Sequence, residues 1–572
     1  MIEPLRRGKL SFGDQFTPKL VTILREGYGA AELRKDALAG LSVAIVALPL
    51  SIAIAVASGA SPAQGLITAI VGGFIVSALG GSRFQIGGPA GAFIVLVAAT
   101  LAEHGMDGLI LAVFLSGFML AALGFLRLGA FVKFVPYPVT VGFTAGIAII
   151  IAASQIKDAL GLSLDGAEPG PLLEKIPALV AAGASFNPYA LLVTFITVAT
   201  IFAVKARRPH WPSILIAVAL ASFVAVIARL PVDTIAARFG DMPHGLPAPR
   251  LPALSFEKIA AVFPAAVSFT ILGAIESLLS AVVADGMTGR RHRSNAELAA
   301  QGAANIVSAL FGGICVTGTI ARTATNVRAG AHGPVSGMMH SLFVLAMMAL
   351  AAPLIGHVPM AALAGVLLVT AWNMLEKRAF MQLLRASRGD AFVLLATFFI
   401  TAMRDLTEAI IVGFALGAMV FIQRMSETAA VDFGAPALAP DEADDAQRAP
   451  YHEAGADPDI VVYRISGAFF FGAAASIGSV LDRIGDAHRT LIVDFSGSPF
   501  IDSTGAHMIE GLVESARRKG VCVYLTGLGA RPAAALAALG VAPPHVVLEQ
   551  TIDAAVTRAR RAARVAAKEA TA

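Results

Sequence analysis

Gly87-Gly88-Pro89-Ala90-Gly91-Ala92-Phe93 and Thr317-Gly318-Thr319-Ile320-Ala321-Arg322-Thr323 are two small-residue breaks in a very apolar chain. Each follows a hydrophobic segment and opens a helix too short to cross a bilayer. Two interrupted segments at corresponding places in two halves of a membrane protein point to a transporter's binding site. Helix N-termini present unpaired N–H groups and a positive dipole end, so two of them meeting at mid-membrane attract an anion. Arg322, beside the second break, sharpens the anion reading.

The rest of the composition agrees with a membrane setting. The chain has 572 residues, 56% of them hydrophobic and only 14% charged, with mean hydropathy +0.75. A soluble domain carries roughly 25% charged residues, and a membrane span takes about 20 apolar residues. The net charge of +4 is small and implies no nucleic-acid partner. Two cysteines, Cys315 and Cys522, lie in no metal or redox motif and form no disulfide framework. His104, His244, His332, His340 and His357 lack ligand spacing, so no metal site is expected. No Walker motif, no nucleotide-binding glycine loop and no placeable Ser–His–Asp pattern is present. Neither an enzyme nor a cofactor is therefore expected. The first 36 residues are polar and basic, so no cleavable signal peptide is expected.

Apolar runs predict spans at 37–58, 63–80, 89–102, 108–127, 135–157, 188–205, 212–230, 259–284, 296–313, 318–328, 334–352, 358–375, 389–403 and 408–425. That is fourteen membrane segments, the two short ones being half-helices. Seven per half places the second half inverted relative to the first, as a 7+7 inverted repeat. With the N-terminus cytoplasmic, the inside loops take Arg83, Arg127, Lys133, Lys205, Arg207, Arg290, Arg291 and Lys377, and the acidic residues Glu103, Asp107, Asp158 and Asp233 fall outside. This charge bias supports cytoplasmic N- and C-termini and a plasma (inner) membrane location. The expected division is an N-terminal segment 1–36, a transporter domain 37–427, an Ala/Pro/Asp-rich linker 428–457, a small α/β domain 458–562 and a tail 563–572. Within the α/β domain the pattern predicts strands at 460–465, 491–495 and 521–526, with helices at 472–485, 504–519, 530–539 and 552–567.

The chain resembles the SulP family of anion transporters, the sulfate-permease type within solute carrier family 26. The carriers are Ala47-Leu48-Pro49-Leu50-Ser51-Ile52-Ala53, Gly81-Ser82-Arg83-Phe84-Gln85-Ile86-Gly87-Gly88-Pro89, and the stretch from Gly273-Ala274-Ile275-Glu276-Ser277 to Asn326-Val327-Arg328-Ala329-Gly330. Phe500-Ile501-Asp502-Ser503-Thr504-Gly505 resembles the signature turn of a STAS domain. The resemblance implies a core and a gate subdomain that move relative to each other. It places the anion between the half-helices that open at 89 and 318, against the first span, and it implies a homodimer.

The candidate substrate-binding residues are Pro89, Ala90, Gly91, Ala321, Arg322, Thr323, Leu50 and Ile54. Pro89 is read as the first helical residue, with small neighbours that let a ligand reach backbone N–H groups; close helix packing is the competing reading. Arg322 is read as a fork for an oxyanion, against a structural ion pair or a snorkelling side chain. Glu276, in a segment otherwise almost free of charge, is read as a coupling site for H+ or Na+, against a permanent salt bridge to Arg322. Sodium-coupled bicarbonate members carry Thr and Gly where this chain has Ile320 and Arg322, so proton coupling or cation-free exchange is expected. Leu50 and Ile54 match pocket-lining positions of the family, with plain packing as the alternative. Thr504 aligns with a residue phosphorylated in anti-sigma-factor antagonists, although a helix cap by Asp502 or Ser503 explains the same turn. The expected function is secondary active transport of small inorganic oxyanions of the sulfate class, by alternating access. A bicarbonate or C4-dicarboxylate carrier is the alternative, and an anion channel or a STAS-mediated signalling scaffold the alternative of another class.

Overall fold

The computed structural model describes residues 12–129, 136–164, 172–209, 211–404, 406–428, 430–432, 459–467, 489–498 and 500–570. The chain divides into two compact units, Met1–Gly417 and Ala418–Ala572.

The first unit is helical apart from two short strands, and nine of its and the following helices among the described residues are long and apolar enough to cross a membrane. Each stretch expected as a span overlaps a helix, with instructive differences at the ends. The first long helix, Ala30–Ala57, starts seven residues before the apolar run. Its start is set by Glu32, whose carboxylate accepts from the Gly29 N–H at 3.0 Å. Pro62–Leu79 continues through a π-turn at Thr68–Gly72. The expected loop between 102 and 108 is a single residue: Gly105, at φ +67 and ψ −175, breaks Ile94–Phe125 into a short and a long helix. The expected break at 318 gives Ile320–Arg328, a helix of nine residues.

The long helices pack in two groups. In one, Ala30–Ala57 lies on Val335–Gly356, and Phe256–Thr288 and Ser294–Leu310 both lie on Ile94–Phe125. In the other, Tyr137–Leu160 packs on Met360–Met374 and Arg388–Met403, and Pro188–Arg207 on Ser213–Ile227. Ala30–Ala57 also touches Tyr137–Leu160, Ser213–Ile227 and Met360–Met374, so it lines the seam. A single apolar core joins the groups, through Leu50, Ile54, Phe93, Ile147, Ile151, Val218 and Leu367.

The second unit is a small α/β domain. Its sheet runs Ala430–Asp432, Ile460–Ser466, Thr490–Gly497, Cys522–Thr526, Val547–Glu549; the first pair is antiparallel and the rest parallel. Ala430–Asp432 corrects the reading of 428–457 as linker throughout. A three-residue strand is too short to show alternation, and it forms by pairing along Ile460–Ser466. Val547–Glu549 was likewise not expected. The last helix, Ile552–Ala570, runs three residues beyond the expected 567, so the stretch from 563 set apart as a tail is helical to 570; Ala and Arg are strong helix formers. The helix expected at 472–485 lies outside the described residues. Asp502 caps Ser503–Arg518 by accepting from the Gly505 N–H at 2.7 Å, so Thr504 sits in the first turn and is exposed. Leu491, Val493, Phe495, Ile509 and Leu525 form the core. Asp494 is buried, which favours its neutral form, yet hydrogen bonds from Ser496, Thr526 and Arg464 prevail and hold its carboxyl below the usual range.

Candidate functional site

The two breaks meet. Gly87 and Gly88 pair antiparallel with Gly318 and Thr317, so the leads into both half-helices lie side by side. The Thr319 N–H donates to the Ile86 carbonyl at 3.0 Å, and the Ile86 N–H returns to Thr323 Oγ1 at 3.2 Å. These crossed bonds satisfy backbone groups that apolar surroundings leave without water.

Several side chains hold this crossing in place. Asn305 mimics a backbone partner for Val316, accepting from its N–H and donating to its carbonyl, both at 2.9 Å. Glu297, fully buried, accepts from the Gly81 and Ser82 N–H groups at 2.8 and 3.0 Å. From Phe256–Thr288, Ser277 Oγ meets Thr317 Oγ1 at 2.9 Å and Ser280 Oγ donates to Thr323 Oγ1 at 3.0 Å. Asn326 Nδ2 donates to the Phe84 carbonyl and to Ser336 Oγ. Phe93 stacks on Phe269 at 5.9 Å between centroids.

Arg322 is the third residue of its helix and is 1% exposed. Its Nη2 donates across the crossing to the Pro89 carbonyl at 3.2 Å and to Ser51 Oγ on Ala30–Ala57 at 3.1 Å. Its Nε and Nη1 have no hydrogen-bond partner among the described residues. Gly88 makes room for the fork: a Cβ there would lie 2.1 Å from Nη1, and its φ of +155 is one that L side chains rarely adopt. The guanidinium thus lies behind the helix opening, while Ile320 is 38% exposed and Ala321 is exposed on the other side. Gly91 is half-buried, and a Cβ there would lie 3.5 Å from Ile151 Cδ1 and Met374 Sδ.

Six of the expected binding residues, Pro89, Ala90, Gly91, Ala321, Arg322 and Thr323, are brought together here. Pro89 is not the first helical residue. It belongs to the lead, Ala90 caps, and a 3-10 turn, Gly91–Phe93, enters the helix. The Thr323 hydroxyl is committed to Ser280 and to the Ile86 N–H. Leu50 and Ile54 lie in the apolar core one helical turn apart, near Pro49. Glu276 is buried in Phe256–Thr288 and forms no ion pair with Arg322 and no hydrogen bond among the described residues. Ser51, Gln85 and His340 escaped the sequence reading. Gln85 is buried with both amide atoms unpartnered and packs against Gly318, where a Cβ would meet its Nε2 at 1.7 Å. Its place two residues before the first break was the signal available. No group of His, Cys, Asp and Glu that could hold a metal occurs among the described residues.

Residues 33–397 match the family model "Sulfate permease family" and 451–555 the model "STAS domain". YvdB of Bacillus subtilis (strain 168), named provisionally as a sulfate transporter, is 37% identical over 89% of this chain and 94% of its own length. The chain belongs to the sulfate permease family. It is therefore a multi-pass membrane protein of a family of anion transporters, not enzymes, with a C-terminal STAS domain. The bicarbonate transporter BicA of Synechocystis sp. (strain ATCC 27184 / PCC 6803 / Kazusa) is 28% identical over 86% of this chain and 88% of its own. The transmembrane domain of a cyanobacterial BicA superposes with TM-score 0.61 at 29% identity, covering 67% of this chain and 98% of that one. The overall structure of SLC26A9 shares the fold, with TM-score 0.82 at 19% identity over 96% of this chain and 93% of that chain.

Proposed function

We propose that the protein is a secondary active transporter that carries small inorganic oxyanions of the sulfate class by alternating access. The observation that carries this reading is Arg322, a buried guanidinium between the leads of two half-helices with Nε and Nη1 uncommitted. A buried charge with free donors is costly unless a partner of opposite charge arrives. In this reading the anion sits at the openings of both half-helices, against Pro89, Ala90, Gly91 and Ala321, and Arg322 supplies the charge behind it. Thr323 shapes the opening through its bonds to Ile86 and Ser280, and Leu50 and Ile54 form the apolar wall of the first span. The helix group containing the crossing is the moving core, and the group around Tyr137–Leu160 is the gate.

Further parts of the proposal follow from the same frame. The membrane domain, 37–427, has fourteen membrane segments, two of them half-helices, arranged as a 7+7 inverted repeat. Two matching packings support the repeat: Ala30–Ala57 on Val335–Gly356 in one sense, and Phe256–Thr288 on Ile94–Phe125 in the other. Both termini face the cytoplasm of the plasma membrane, and the protein works as a homodimer. Residues 458–562 form the STAS core, extended by Ala430–Asp432, and exposed Thr504 is its candidate regulatory phosphosite. Glu276, buried and unpaired, carries the coupling proton.

The similarity to BicA favours a second reading, a bicarbonate carrier; C4-dicarboxylates share the same carboxylate-like oxygens. Proteoliposome uptake of sulfate, bicarbonate and fumarate, with and without an inward proton gradient, tests the proposal. Saturable sulfate uptake that Arg322→Ala abolishes is the expected result. Non-saturable flux of all three anions, unaffected by Arg322→Ala, would refute a carrier built on this site.

A further inference from the structure

The chain has two tryptophans, and the fold brings both to one end of one packed helix pair in the group around Tyr137–Leu160. Trp211 lies in the turn after Pro188–Arg207, and Trp372 in the last turn of Met360–Met374. The two helices run in the same direction. The Thr194 hydroxyl donates to the Ala361 carbonyl at 3.0 Å, and one turn further on a Cβ at Gly365 would lie 3.0 Å from Thr197 Cβ. The contacts advance together along both chains, so the C-terminal ends of the two helices emerge on the same side. There Trp211 is 59% exposed and Trp372 58%.

That end of the pair carries charge of one sign. The stretches 203–213 and 370–388 hold seven basic residues against one acid, Glu376. At the opposite end, 182–194 and 353–361 hold no Lys, Arg, Asp or Glu. Each tryptophan has a cation on its ring. The Arg208 guanidinium lies 6.0 Å from the Trp211 ring centre, and Lys377 Nζ sits over the Trp372 ring. A cation held on a ring points its N–H donors away from it, and has less rotamer freedom left to lose on binding. Indoles themselves favour the headgroup level of a bilayer. Along Pro188–Arg207, Leu191, Leu192, Phe195 and Phe202 are exposed. A row of large apolar side chains of this kind marks a face that something apolar covers. An acyl chain laid along that face brings its headgroup to the cations.

We propose that this end of the helix pair is a docking surface for anionic phospholipid headgroups. The phosphate meets Arg207, Arg208, Lys377 and Arg378, the two indoles lie at headgroup level, and the acyl chains cover the apolar side of Pro188–Arg207. A zwitterionic headgroup brings as much positive charge as negative, so the surface selects lipids of net negative charge. Bound lipid fixes the height of this helix group in its leaflet, which is the cytoplasmic one under the topology proposed above. The surface is independent of the anion site at Arg322 and needs only the membrane setting.

Because these two residues are the whole tryptophan content, intrinsic fluorescence reads the surface without a label. Full-length protein is placed in bilayers of phosphatidylglycerol and phosphatidylcholine at equal mole fraction, with bromine on the acyl chains of one lipid or of the other. Bromine quenches an indole only on contact. The expected result is quenching at least about twofold greater when phosphatidylglycerol carries the bromine. That excess should shrink as salt rises from about 0.1 M to about 1 M, because exposed charges are screened. It should vanish in the quadruple variant Arg207→Gln, Arg208→Gln, Lys377→Gln, Arg378→Gln, where the two brominated lipids are compared within one protein so that altered emission cancels. Trp211→Phe and Trp372→Phe should each keep part of the excess. Equal quenching by the two lipids in wild type overturns the proposal, as does an excess that ignores salt or survives in the quadruple variant. An excess carried by one ring alone overturns the shared surface. The salt series on wild type decides the matter even where the quadruple variant fails to fold. None of these readouts involves uptake, so failure here and failure of the transport reading are distinct.

Discussion

Replacing Gly88 by alanine tests whether the lead into the first half-helix positions Arg322. The added Cβ would fall 2.1 Å from Nη1, where ordinary contact begins at 3.4 Å, so the fork must retreat by more than 1 Å. Nη1 is the end of a flexible side chain, so it is the side chain that gives. Losing one charge-assisted hydrogen bond to an anion removes about 1.5–3 kcal/mol, and affinity should fall roughly tenfold to a hundredfold. The φ of +155 adds backbone strain on the order of 1–3 kcal/mol, whatever residue stands at 322. A double-mutant cycle separates the two effects. Arg322→Lys has no Nη1, so the collision disappears while the strain remains. Gly88→Ala should then cost less than about threefold further in affinity for the transported anion, read by calorimetry on detergent-purified protein. Equal losses from Gly88→Ala in both backgrounds would refute the argument, because independent sites add.

Arg322→Ala should abolish measurable uptake with the protein still monodisperse, and Arg322→Lys should keep a weaker uptake, since lysine retains charge without the fork; wild-type affinity in Arg322→Ala would remove the side chain from the site. Glu276→Gln, which mimics the protonated acid, should eliminate dependence of accumulation on an inward proton gradient, and full gradient-driven accumulation in the variant would count against Glu276 as a coupling group. A soluble 428–572 fragment should unfold cooperatively by circular dichroism and be more stable than 458–562, which lacks the strand Ala430–Asp432; equal midpoints would show that this strand adds nothing. In that fragment, the Asp494 carboxyl is held low, so its contribution is complete above the ordinary carboxylate pKa of about 3.9 and fades as pH falls through the lowered value. Asp494→Asn should cost about 1–3 kcal/mol at pH 7 in denaturant unfolding and flatten the acid side of the stability profile.

The two breaks were legible because glycine, proline and a lone arginine stand out against an apolar background, and they marked the start of both half-helices to within a few residues. What joins them was not legible. Ser51 meets Arg322 across 271 residues of chain, and Ile86 meets Thr323 across 237, and neither serine nor threonine announces a distant partner. His340 read as one of several scattered histidines, since a sequence shows spacing along a helix and not an unsatisfied ring inside it. The single-residue reversal at Gly105 hid in an expected loop because His104-Gly105-Met106-Asp107 has the polarity of an ordinary connection. Ala430–Asp432 was lost to the Ala-, Pro- and Asp-rich stretch that follows it, whose composition outweighs three residues of strand. In the STAS domain the long strands and the Asp502 cap were plain, because both are local patterns.

The pairing of Gly87 and Gly88 with Gly318 and Thr317 also bears on biosynthesis. A ribosome delivers the chain from its N-terminus, so the first strand reaches the membrane some 230 residues before its partner exists. Until then its backbone N–H and C=O groups have no second strand, and hydrocarbon offers none. The first seven segments therefore cannot mature into their final form in order of synthesis. They must wait, in a wet or shielded arrangement, for the second half to be inserted, and the anion site comes into being as one of the last acts of folding.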